Sequence, residues 1–507
     1  MKKYLSAFIL ALALSCGAYG QNSYQYTVNL NNAESDRLAF ELQVPQLKKS
    51  TLVFSFPKII PGTYMVSDYG RFISEVKAFD KAGKQLPVSK MNENQWKISN
   101  ASTLSRITYL ADDIFDSEAK HGIFPMAATN IEAGKNFVFN TPGFFGFFEG
   151  HNQLPFRLQV IKPQSLYAST ALPAQRSATA DVFELKNVDE LYDSPIMYSV
   201  PDTTTVRVGN CEVLVSVYAP KKMIQSKQIA EWMSELLQAT RSYLGGKLPT
   251  NKYAFLYYFK DAALSHSFPP GLEGALEHST SSFYYITEAP AQKIRQSLVD
   301  MSSHEFFHII TPLTIASKEI KQFNFHKPVL SKHLWLYEGS TEYTAHHVQV
   351  KYGLKPVPQF LAKLTEKITI SRNYFNDSLP FTEMSAAVTD KYEKQYTNVY
   401  MKGALIAACL DVYLLHLSGG QYGFRNLTYD LGVRYGRDRA FNDDELFDEI
   451  TALTYPEIGE FLKKYVAGPT PIPYDYYFGL AGVKFTPREE RQVMSLGGFM
   501  PGVNAKG

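Results

Sequence analysis

The chain has little cysteine, with 3 residues among 507: Cys16, Cys211 and Cys409. Cys16 falls in an apolar N-terminal stretch, and the two others cannot build the disulfide framework of a small secreted domain. Neither of those two has another cysteine at the spacing of a zinc-binding pair, so we expect both to be small buried hydrophobic residues. Stability must then come from apolar cores, which a composition of 45% hydrophobic residues can supply.

An excess of charge of one sign is also missing. The sequence has 51 basic and 49 acidic residues, mixed along the chain, and a formal net charge of +2. A chain without a basic surface stretch is not expected to bind nucleic acid. Beyond the N-terminus the sequence shows no apolar run that we expect to span a bilayer, so no transmembrane segment is predicted after it.

Residues Met1–Gly20 have the pattern of a secretory signal, with two lysines, an apolar run and then small residues. Two cleavage sites compete. The tripeptide A-Y-G before Gln21 suits ordinary signal peptidase, whereas A-L-S-C, ending at Cys16, is a loose lipobox with Ala at its first position. We expect an exported protein, periplasmic or associated with the cell envelope, and favour a soluble form over a lipid anchor at Cys16.

The segment 304–308 reads H-E-F-F-H. His304 and His308 are four residues apart and would lie on one face of a helix, where both can reach one metal ion. Glu305 would lie beside that metal and take a proton from a bound water. Two imidazoles and an open position suit zinc. Apolar spacing after Pro290 and the helix-ending pair T-P at 311–312 predict a helix of about 20 residues, with the motif in its last two turns.

Glu338 is the candidate third ligand. It lies in the segment 334–339, L-W-L-Y-E-G, which indicates the start of another helix, 338 − 308 = 30 positions after His308. Such a glutamate completes a His, His, Glu site with water in the fourth position. A glutamate in a first helical turn is otherwise an ordinary solvated residue. The upstream H-E-x-x-H and the aromatic context favour the ligand.

This pairing of H-E-x-x-H with a later L-W-x-x-E-G resembles the glycyl aminopeptidase family of gluzincin zinc metallopeptidases, which are relatives of aminopeptidase N. The separation of 30 positions fits the longer insert of that family. The resemblance implies a multidomain α+β fold. Its expected parts are an N-terminal β-sandwich-like domain, a thermolysin-like α+β catalytic domain, a C-terminal helical domain and commonly a PDZ domain.

Two further segments resemble family motifs. The segment 274–278, G-A-L-E-H, is similar to the family's G-G-L-E-H. This implies an edge strand whose backbone at Gly274 and Ala275 pairs with the substrate, while Glu277 holds the free α-amine. The segment 400–403, Y-M-K-G, is similar to Y-x-K-G. The resemblance implies that Tyr400 donates a hydrogen bond to the oxyanion of the tetrahedral intermediate.

One position departs from the family pattern. Ala345, seven residues after Glu338, stands where the family usually has an acid that orients a ligand histidine. Glu342 is four residues after Glu338 and shares its helix face. We hypothesise that Glu342 provides the carboxylate that fixes a histidine tautomer. Four other histidines are expected to be ordinary surface or core residues: His326, His333, His346 and His347.

Hydrophobic patterns divide the rest of the chain into a β-rich N-terminal domain (21–212), the zinc catalytic domain (213–354), a helical domain (355–468) and a tail (469–507). The P-T-P-I-P segment at 469–473 ends the helical pattern. Only 507 − 473 = 34 residues follow Pro473, so we expect a PDZ domain to be absent or truncated.

Two segments of the N-terminal domain are expected to be structural. Residues 56–64, F-P-K-I-I-P-G-T-Y, resemble a family signature with Ile59 in place of the usual tryptophan, and their P-G pair predicts a turn. Residues 141–148 form an aromatic loop, T-P-G-F-F-G-F-F, which we expect to pack between domains rather than to line the substrate cleft.

The function expected from these motifs is a zinc-dependent aminopeptidase that uses one Zn²⁺ and releases N-terminal residues from peptides. A preference for Gly or Ala is implied only by the resemblance. Two alternatives remain. The chain could be an endopeptidase in which Glu277 contacts something other than an amine, or a non-catalytic peptide-binding protein on the same scaffold, which Ala345 slightly favours.

Overall fold

The computed structural model describes residues 22–117, 121–263 and 272–487. The predicted signal, with Cys16, and residues 488–507 lie outside the described residues. A β-rich N-terminal domain is followed by a mixed α/β region and then by a helical region, so the predicted multidomain α+β class is confirmed. The N-terminal β-domain denotes the elements from Tyr24 to Ser199, the central region those from Thr203 to Lys351, and the helical region those from Val357 to Leu480.

The N-terminal β-domain forms sheets because its strands alternate buried and partly exposed side chains. In the first strand Tyr24, Tyr26 and Val28 are buried and the residues between them are not. The strands are β1 Tyr24–Asn29, β2 Arg37–Gln43, β3 Thr51–Ser55, β4 Ile73–Asp80, β5 Gln85–Leu86, β6 Val88–Asn92, β7 Gln95–Ser99, β8 Leu104–Asp112, β9 Asn130–Glu132, β10 Asn136–Phe139, β11 Phe147–Phe148, β12 Phe156–Ile161, β13 Tyr167–Ser169, β14 Ala174–Arg176, β15 Ala180–Leu185 and β16 Ile196–Ser199.

These strands make three sheets. The largest has the order β14-β15-β12-β1-β2-β8-β4-β5, and two four-stranded sheets have the orders β13-β16-β10-β9 and β11-β3-β7-β6. The pairing of β1 with β12 is parallel, and the other pairings in these sheets are antiparallel. A short helix, α1 (Val188–Tyr192), precedes β16.

The aromatic loop at 141–148 packs mainly inside the N-terminal β-domain. The rings of Phe144 and Phe145 are fully buried, with centroids 5.3 and 5.4 Å from that of Phe40. Of these aromatic residues only Phe147 has a ring contact with the described part of the central region, where its ring centroid lies 6.2 Å from that of Phe325. The expected role between domains therefore applies to one residue, because the other aromatic side chains fill the space between the sheets.

The central region contains one mixed five-stranded sheet. Its strands are β17 Thr203–Val208, β18 Cys211–Tyr218, β19 Lys252–Lys260, β20 Gly274–His278 and β21 Ser281–Thr287. The order is β17-β18-β19-β21-β20, and β20 pairs antiparallel with β21. Among the described residues no strand pairs with the other side of β20, so the G-A-L-E-H segment forms the expected edge strand.

Two long helices of this region are α2 (Ser226–Tyr243) and α3 (Ala291–Phe307). Helix α2 begins after Gln225, whose backbone N–H donates to the side chain of Gln228. Helix α3 has 17 residues rather than about 20, because Pro290 precedes it and His308 ends it. The H-E-x-x-H motif lies in its last two turns, as predicted.

Between residues 318 and 480 the regular elements are helices. The helices are α4 Lys318–Lys321, α5 Ser340–Lys351, α6 Val357–Tyr374, α7 Phe381–Ala386, α8 Asn398–Leu417, α9 Phe424–Tyr435, α10 Leu446–Leu453, α11 Pro456–Phe461 and α12 Tyr474–Leu480. Two π-helical turns occur at Trp335–Gly339 and Leu462–Val466. Glu338 thus lies in a widened turn that leads into α5, near the helix start predicted for it.

Helix α8 is the one helix among the described residues whose length and composition would suit a bilayer. No transmembrane segment was predicted after the N-terminus, and this helix is a candidate by length and composition only. The cause of the apolar composition is burial, since 67% of the window lies inside the fold and residues from Ala404 to Leu410 are buried in the helical core. Cys409 belongs to that core, and Cys211 is buried in the central region, as predicted.

Candidate metal centre and active site

Three side chains converge where the end of α3 meets the π-helical turn. The Nε2 atoms of His304 and His308 are 3.1 Å apart, and they lie 3.4 and 3.6 Å from Oε2 of Glu338. All three residues are buried. Their ligand atoms lie within 4.8 Å of one another and could hold a metal ion. The structure thus brings together the residues proposed as ligands from the sequence.

The other nitrogen of each histidine already has an acceptor. Nδ1 of His304 is 2.9 Å from Oε2 of Glu342, and Nδ1 of His308 is 2.8 Å from the carbonyl oxygen of Thr311. An ionised carboxylate and a carbonyl only accept, so each Nδ1 carries a hydrogen, and Nε2 is the atom of each ring that can bind a metal. Two imidazoles and one carboxylate form a donor set that fits zinc.

Burial and neighbouring charges set the protonation of these groups. Burial lowers the pKa of His308 to about 4, so its imidazole is neutral near pH 7. Burial opposes ionisation of Glu338, but the two histidines and the hydroxyl of Tyr64 hold its pKa below the usual range. Burial also opposes a charged His304, yet Glu338 and Glu342 raise its pKa well above normal. A cation at Nε2 would replace that proton.

Glu305 is buried at the same place, and its Oε2 atom has no hydrogen-bond partner among the described residues. Burial, together with the negative charge of Glu338, raises the pKa of Glu305 to about 8. A divalent cation beside it would lower that value. An unpartnered carboxylate oxygen facing the presumed ligands is the arrangement that a general base requires.

Glu277 approaches the site from the edge strand β20. One of its carboxylate oxygens, one from Glu305 and a ring nitrogen of His308 lie within 4.8 Å of one another. Burial and the charges of Glu338 and Glu305 raise the pKa of Glu277 well above its usual range. This second cluster has only one imidazole and includes the partly exposed Glu277, so the set with two histidines is the better zinc site. A cavity of about 440 Å³ opens beside Glu277.

Tyr400 of the helical region lies against His304, and Tyr396 contacts Tyr400. The ring centroid of Tyr400 is 5.7 Å from that of His304, and its hydroxyl is 2.7 Å from the hydroxyl of Tyr396. Burial and the charge of Glu338 raise the pKa of Tyr400 well above 10, so its hydroxyl keeps its hydrogen. Sequence reasoning found Tyr400 but missed Tyr396, which precedes it by one helical turn.

The segment 56–64 has more than the structural role that its P-G turn indicated. The hydroxyl of Tyr64 donates to Oε1 of Glu338 over 3.0 Å, across 274 positions of sequence. Gly62 has φ +82°, and a Cβ there would lie 2.8 Å from both carboxylate oxygens of Glu277. The segment forms the expected turn and also contacts two candidate site residues outside its own domain, Glu338 and Glu277. A tyrosine directly after P-G-x was the only signal.

The four other histidines bind elsewhere, as expected. His346 contacts Glu342 at 3.3 Å, and Nε2 of His333 contacts the backbone oxygen of Asp443 at 2.8 Å. His326 pairs with Glu149 at 2.8 Å. His347 lies near Tyr243, and none of the four is part of either ligand cluster.

Solved structures share this fold. An aminopeptidase N family protein from Idiomarina loihiensis superposes with a TM-score of 0.77 at 19% identity, covering 90% of this chain and 78% of that one. An M1 zinc metallopeptidase from Deinococcus radiodurans, solved as a mutant bound to a Tyr-Ser-Ala substrate, gives 0.53 at 13%, covering 89% and 95%. Leukotriene A4 hydrolase from Saccharomyces cerevisiae gives 0.53 at 14%, covering 90% and 68%. A comparison with curated protein sequences found no match.

Fold and site together define a metallopeptidase. Residues 25–200 match the Peptidase M61 N-terminal domain, and residues 297–406 match the M61 glycyl aminopeptidase domain. The chain belongs to the M61 glycyl aminopeptidase family, as its motifs predicted. The second match contains the three presumed ligands, Glu305 and Tyr400.

Proposed function

We propose that this protein is a zinc-dependent aminopeptidase that removes single residues from the N-terminus of peptides, with one Zn²⁺ held by His304, His308 and Glu338. The observation that carries the proposal is the position of Glu277. Its carboxylate lies on an edge strand and reaches within 4.8 Å of Glu305 and His308, so it can bind a cationic group next to the reacting bond.

The other steps of the proposed reaction are assigned to individual residues of the chain. Zinc, when bound, would supply Lewis acidity for the scissile carbonyl and for the attacking water. Glu305 accepts a proton from that water on its unpartnered Oε2 and passes it to the leaving amine. Tyr400 donates its hydroxyl hydrogen to the oxygen that becomes negative. The hydroxyl of Tyr396 lies 2.7 Å from that of Tyr400 and either can be the donor, so the hydrogen of Tyr400 is free for the substrate when Tyr396 donates.

Substrate binding follows from the edge strand. A peptide added alongside β20 would pair with the backbone at Gly274 and Ala275 and run antiparallel to it. Glu277 would then form a charge-assisted hydrogen bond with the α-ammonium. The turn that contains Gly62 lies directly against this carboxylate, which limits how far a peptide could extend past it. These contacts favour release of N-terminal residues over internal cleavage.

The proposed preference for N-terminal Gly or Ala comes from the family. The cavity of about 440 Å³ beside Glu277 offers room for a larger side chain, so the preference has to be measured. A panel of tripeptides X-Gly-Gly, with X running from Gly to Leu and Phe, gives kcat/KM for each residue. We expect the highest values for Gly and Ala.

The proposal is tested by digestion of a pentapeptide with mass detection. Wild type should release one residue at a time from the free peptide and leave the N-acetylated peptide intact. Glu305→Gln keeps the shape of the side chain but removes its basicity, so we expect a loss of kcat of at least about 100-fold. Glu288→Gln is the matched control, since Glu288 is a buried carboxylate that binds backbone N–H groups of Lys221 and Met223.

The results of this digestion distinguish the three candidate functions. Cleavage of the acetylated peptide at the same rate would show an endopeptidase in which Glu277 binds another group. Equal activity of wild type and Glu305→Gln would refute the mechanism. Binding of peptide without cleavage by zinc-loaded wild type would favour a non-catalytic role on the same scaffold.

A further inference from the structure

Tyr64 belongs to the N-terminal β-domain but contacts a presumed zinc ligand of the central region. We propose that Tyr64 is a positioning residue of the metal site, which orients Glu338 and couples zinc binding to docking of the N-terminal β-domain. This inference rests on the proposed function, because it takes the site of His304, His308 and Glu338 to hold zinc.

The two oxygens of Glu338 have different partners. Oε1 accepts the hydrogen bond from Tyr64 over 3.0 Å, and Oε2 is the atom that faces His304 and His308. Glu338 is 2% exposed, so its outer oxygen cannot rely on water for a donor. With Oε1 held, the carboxylate cannot rotate freely, and one oxygen is kept directed at the metal position. Partners of this type tune metal affinity in other proteins by about 10- to 100-fold.

The segment around Tyr64 is held in this place from both sides. The backbone N–H groups of Lys58 and Ile59 both donate to the carbonyl oxygen of Phe325, which lies in the insert between the ligands, over 2.9 and 3.2 Å. The Thr63 hydroxyl closes the turn by donating to the carbonyl oxygen of Ile60. Tyr64 itself has φ +46°, a region that bulky residues rarely adopt. Such a conformation persists only where the surroundings impose it, and it is common at functional sites.

Tyr64 and Tyr400 have separable roles. The Tyr64 hydroxyl donates to Glu338, whereas among the described residues the hydroxyl of Tyr400 has a hydrogen bond only with that of Tyr396 and can turn to a substrate. Tyr64 therefore acts through the ligand and Tyr400 acts on the reacting carbonyl. Loss of the first hydroxyl should appear as weaker metal binding, and loss of the second as a lower kcat.

The coupling works in both directions. If the bond from Tyr64 strengthens zinc binding, zinc must strengthen the docked position of the segment 58–64 by the same factor. Zinc should then slow amide exchange in this segment, although none of its residues is a ligand.

The first test is a zinc titration of the full-length chain against a chromophoric chelator. We expect Tyr64→Phe to bind zinc about 10-fold more weakly than wild type while retaining most of the wild-type kcat at saturating zinc. Tyr400→Phe should show the reverse, with unchanged zinc affinity and reduced kcat. The matched control is Tyr69→Phe, which removes a buried hydroxyl of the same domain that donates to the carbonyl oxygen of Ala127. It should bind zinc like wild type.

The second test needs no variant and remains valid if Tyr64→Phe folds poorly. Hydrogen exchange of wild type with and without zinc should show slower exchange in the segment 58–64 with zinc and no change in the distant strand β6. Equal zinc affinity of Tyr64→Phe and wild type, or equal exchange in the segment with and without zinc, would overturn the inference. A wild type that binds no zinc would instead overturn the proposed function.

Discussion

At the scale of single residues, the position of Ala345 explains why this chain needs a different acid behind its histidine. Ala345 is 1% exposed, and its carbonyl oxygen accepts a hydrogen bond from Ser303 on α3. The side chain of Ala345 is a methyl group, which cannot accept a hydrogen bond from a histidine. Glu342, one turn earlier on α5, reaches Nδ1 of His304 instead, and its other oxygen contacts Lys367 at 2.6 Å.

We predict that Glu342→Ala weakens zinc binding about 10- to 100-fold, because His304 loses the acceptor that fixes its tautomer and ring orientation. Zinc affinity is measured by chelator competition. The same substitution leaves the charge of Lys367 unpaired, and this side chain is 7% exposed, so we also expect a loss of folding stability of about 3–5 kcal/mol.

The double variant Glu342→Ala, Lys367→Met separates the two effects. It removes both charges, so denaturant unfolding should show most of the lost stability restored, while zinc affinity stays low. Full recovery of zinc affinity in the double variant would mean that Glu342 acts only on stability. An unchanged affinity in the single variant would contradict the role proposed for Glu342 altogether.

The ligand residues were predictable from the sequence because metal binding by two histidines of one helix requires a fixed spacing between them. Helical periodicity fixes how far apart His304 and His308 must be, and Glu305 follows from the same motif. Tyr64, Gly62 and Tyr396 were not predictable in this way. Their contacts depend on how separate parts of the chain dock, and local periodicity in the sequence does not indicate how those parts dock.

At the scale of secondary-structure elements, two glycines bring the motifs around Glu338 and Tyr400 together. Gly339 directly follows the presumed ligand, and Gly403 lies one turn after Tyr400 on α8. A Cβ on Gly339 would lie 2.3 Å from the backbone of Gly403, and a Cβ on Gly403 would lie 2.8 Å from the Cα of Gly339. The π-helical turn and α8 can approach this closely only without side chains at the contact.

We predict that Gly403→Ala destabilises the fold by about 1–3 kcal/mol and lowers kcat, because α8 must shift away from the turn that carries Glu338. The shift would move Tyr400 relative to His304, and misplacement by about 1 Å can cost about 100-fold in rate. Denaturant unfolding and steady-state kinetics measure the two effects.

The matched control is Gly432→Ala, in the last turn of α9. A Cβ there would meet only the Cδ1 atom of Ile315, at 4.0 Å. Because alanine is the better helix former, we expect this variant to be stabilised by up to about 1 kcal/mol, with unchanged kinetics. If Gly403→Ala behaved like Gly432→Ala, close packing at this contact would not be what places Tyr400.

Whether a segment forms a helix or a strand was predictable where its hydrophobic periodicity is strong, but the first and last residues of these elements were not. The H-E-x-x-H segment lies at the end of a helix and G-A-L-E-H forms an edge strand, as predicted. Helix α3 stops at Phe307, earlier than the T-P signal at 311–312 suggested, because the backbone after the motif turns to let the carbonyl oxygen of Thr311 meet His308. Tertiary contacts of this kind decide where an element ends.

At the scale of the whole molecule, the candidate site is assembled from three parts of the chain. The N-terminal β-domain contributes Tyr64, and the central region contributes the presumed ligands together with Glu305, Glu277 and Glu342. The helical region contributes Tyr400 and Lys367. The class of fold followed from patterns along the sequence, but this convergence did not, since Tyr64 and Glu338 are 274 positions apart.

Three parts of the chain contribute residues to the site of one ion, so we predict that zinc binding stabilises the fold of the whole chain. Binding to the folded state alone adds about 2.7 kcal/mol when free zinc exceeds the dissociation constant 100-fold. We expect chelation to lower the thermal midpoint by several degrees, and zinc to restore it. Circular dichroism at wavelengths dominated by helix and by strand should report the same shift, because both regions contact the ligand set.

His308→Ala is the control for this experiment, since it removes a presumed ligand and should abolish the response to zinc. Its own midpoint should lie near that of the chelated wild type. A midpoint that responds to zinc equally in wild type and in His308→Ala would place the stabilising ion elsewhere on the molecule. A shift confined to the helical signal would show that the N-terminal β-domain is not linked to the metal, and that the contact of Tyr64 with Glu338 transmits no stability between the parts of the chain.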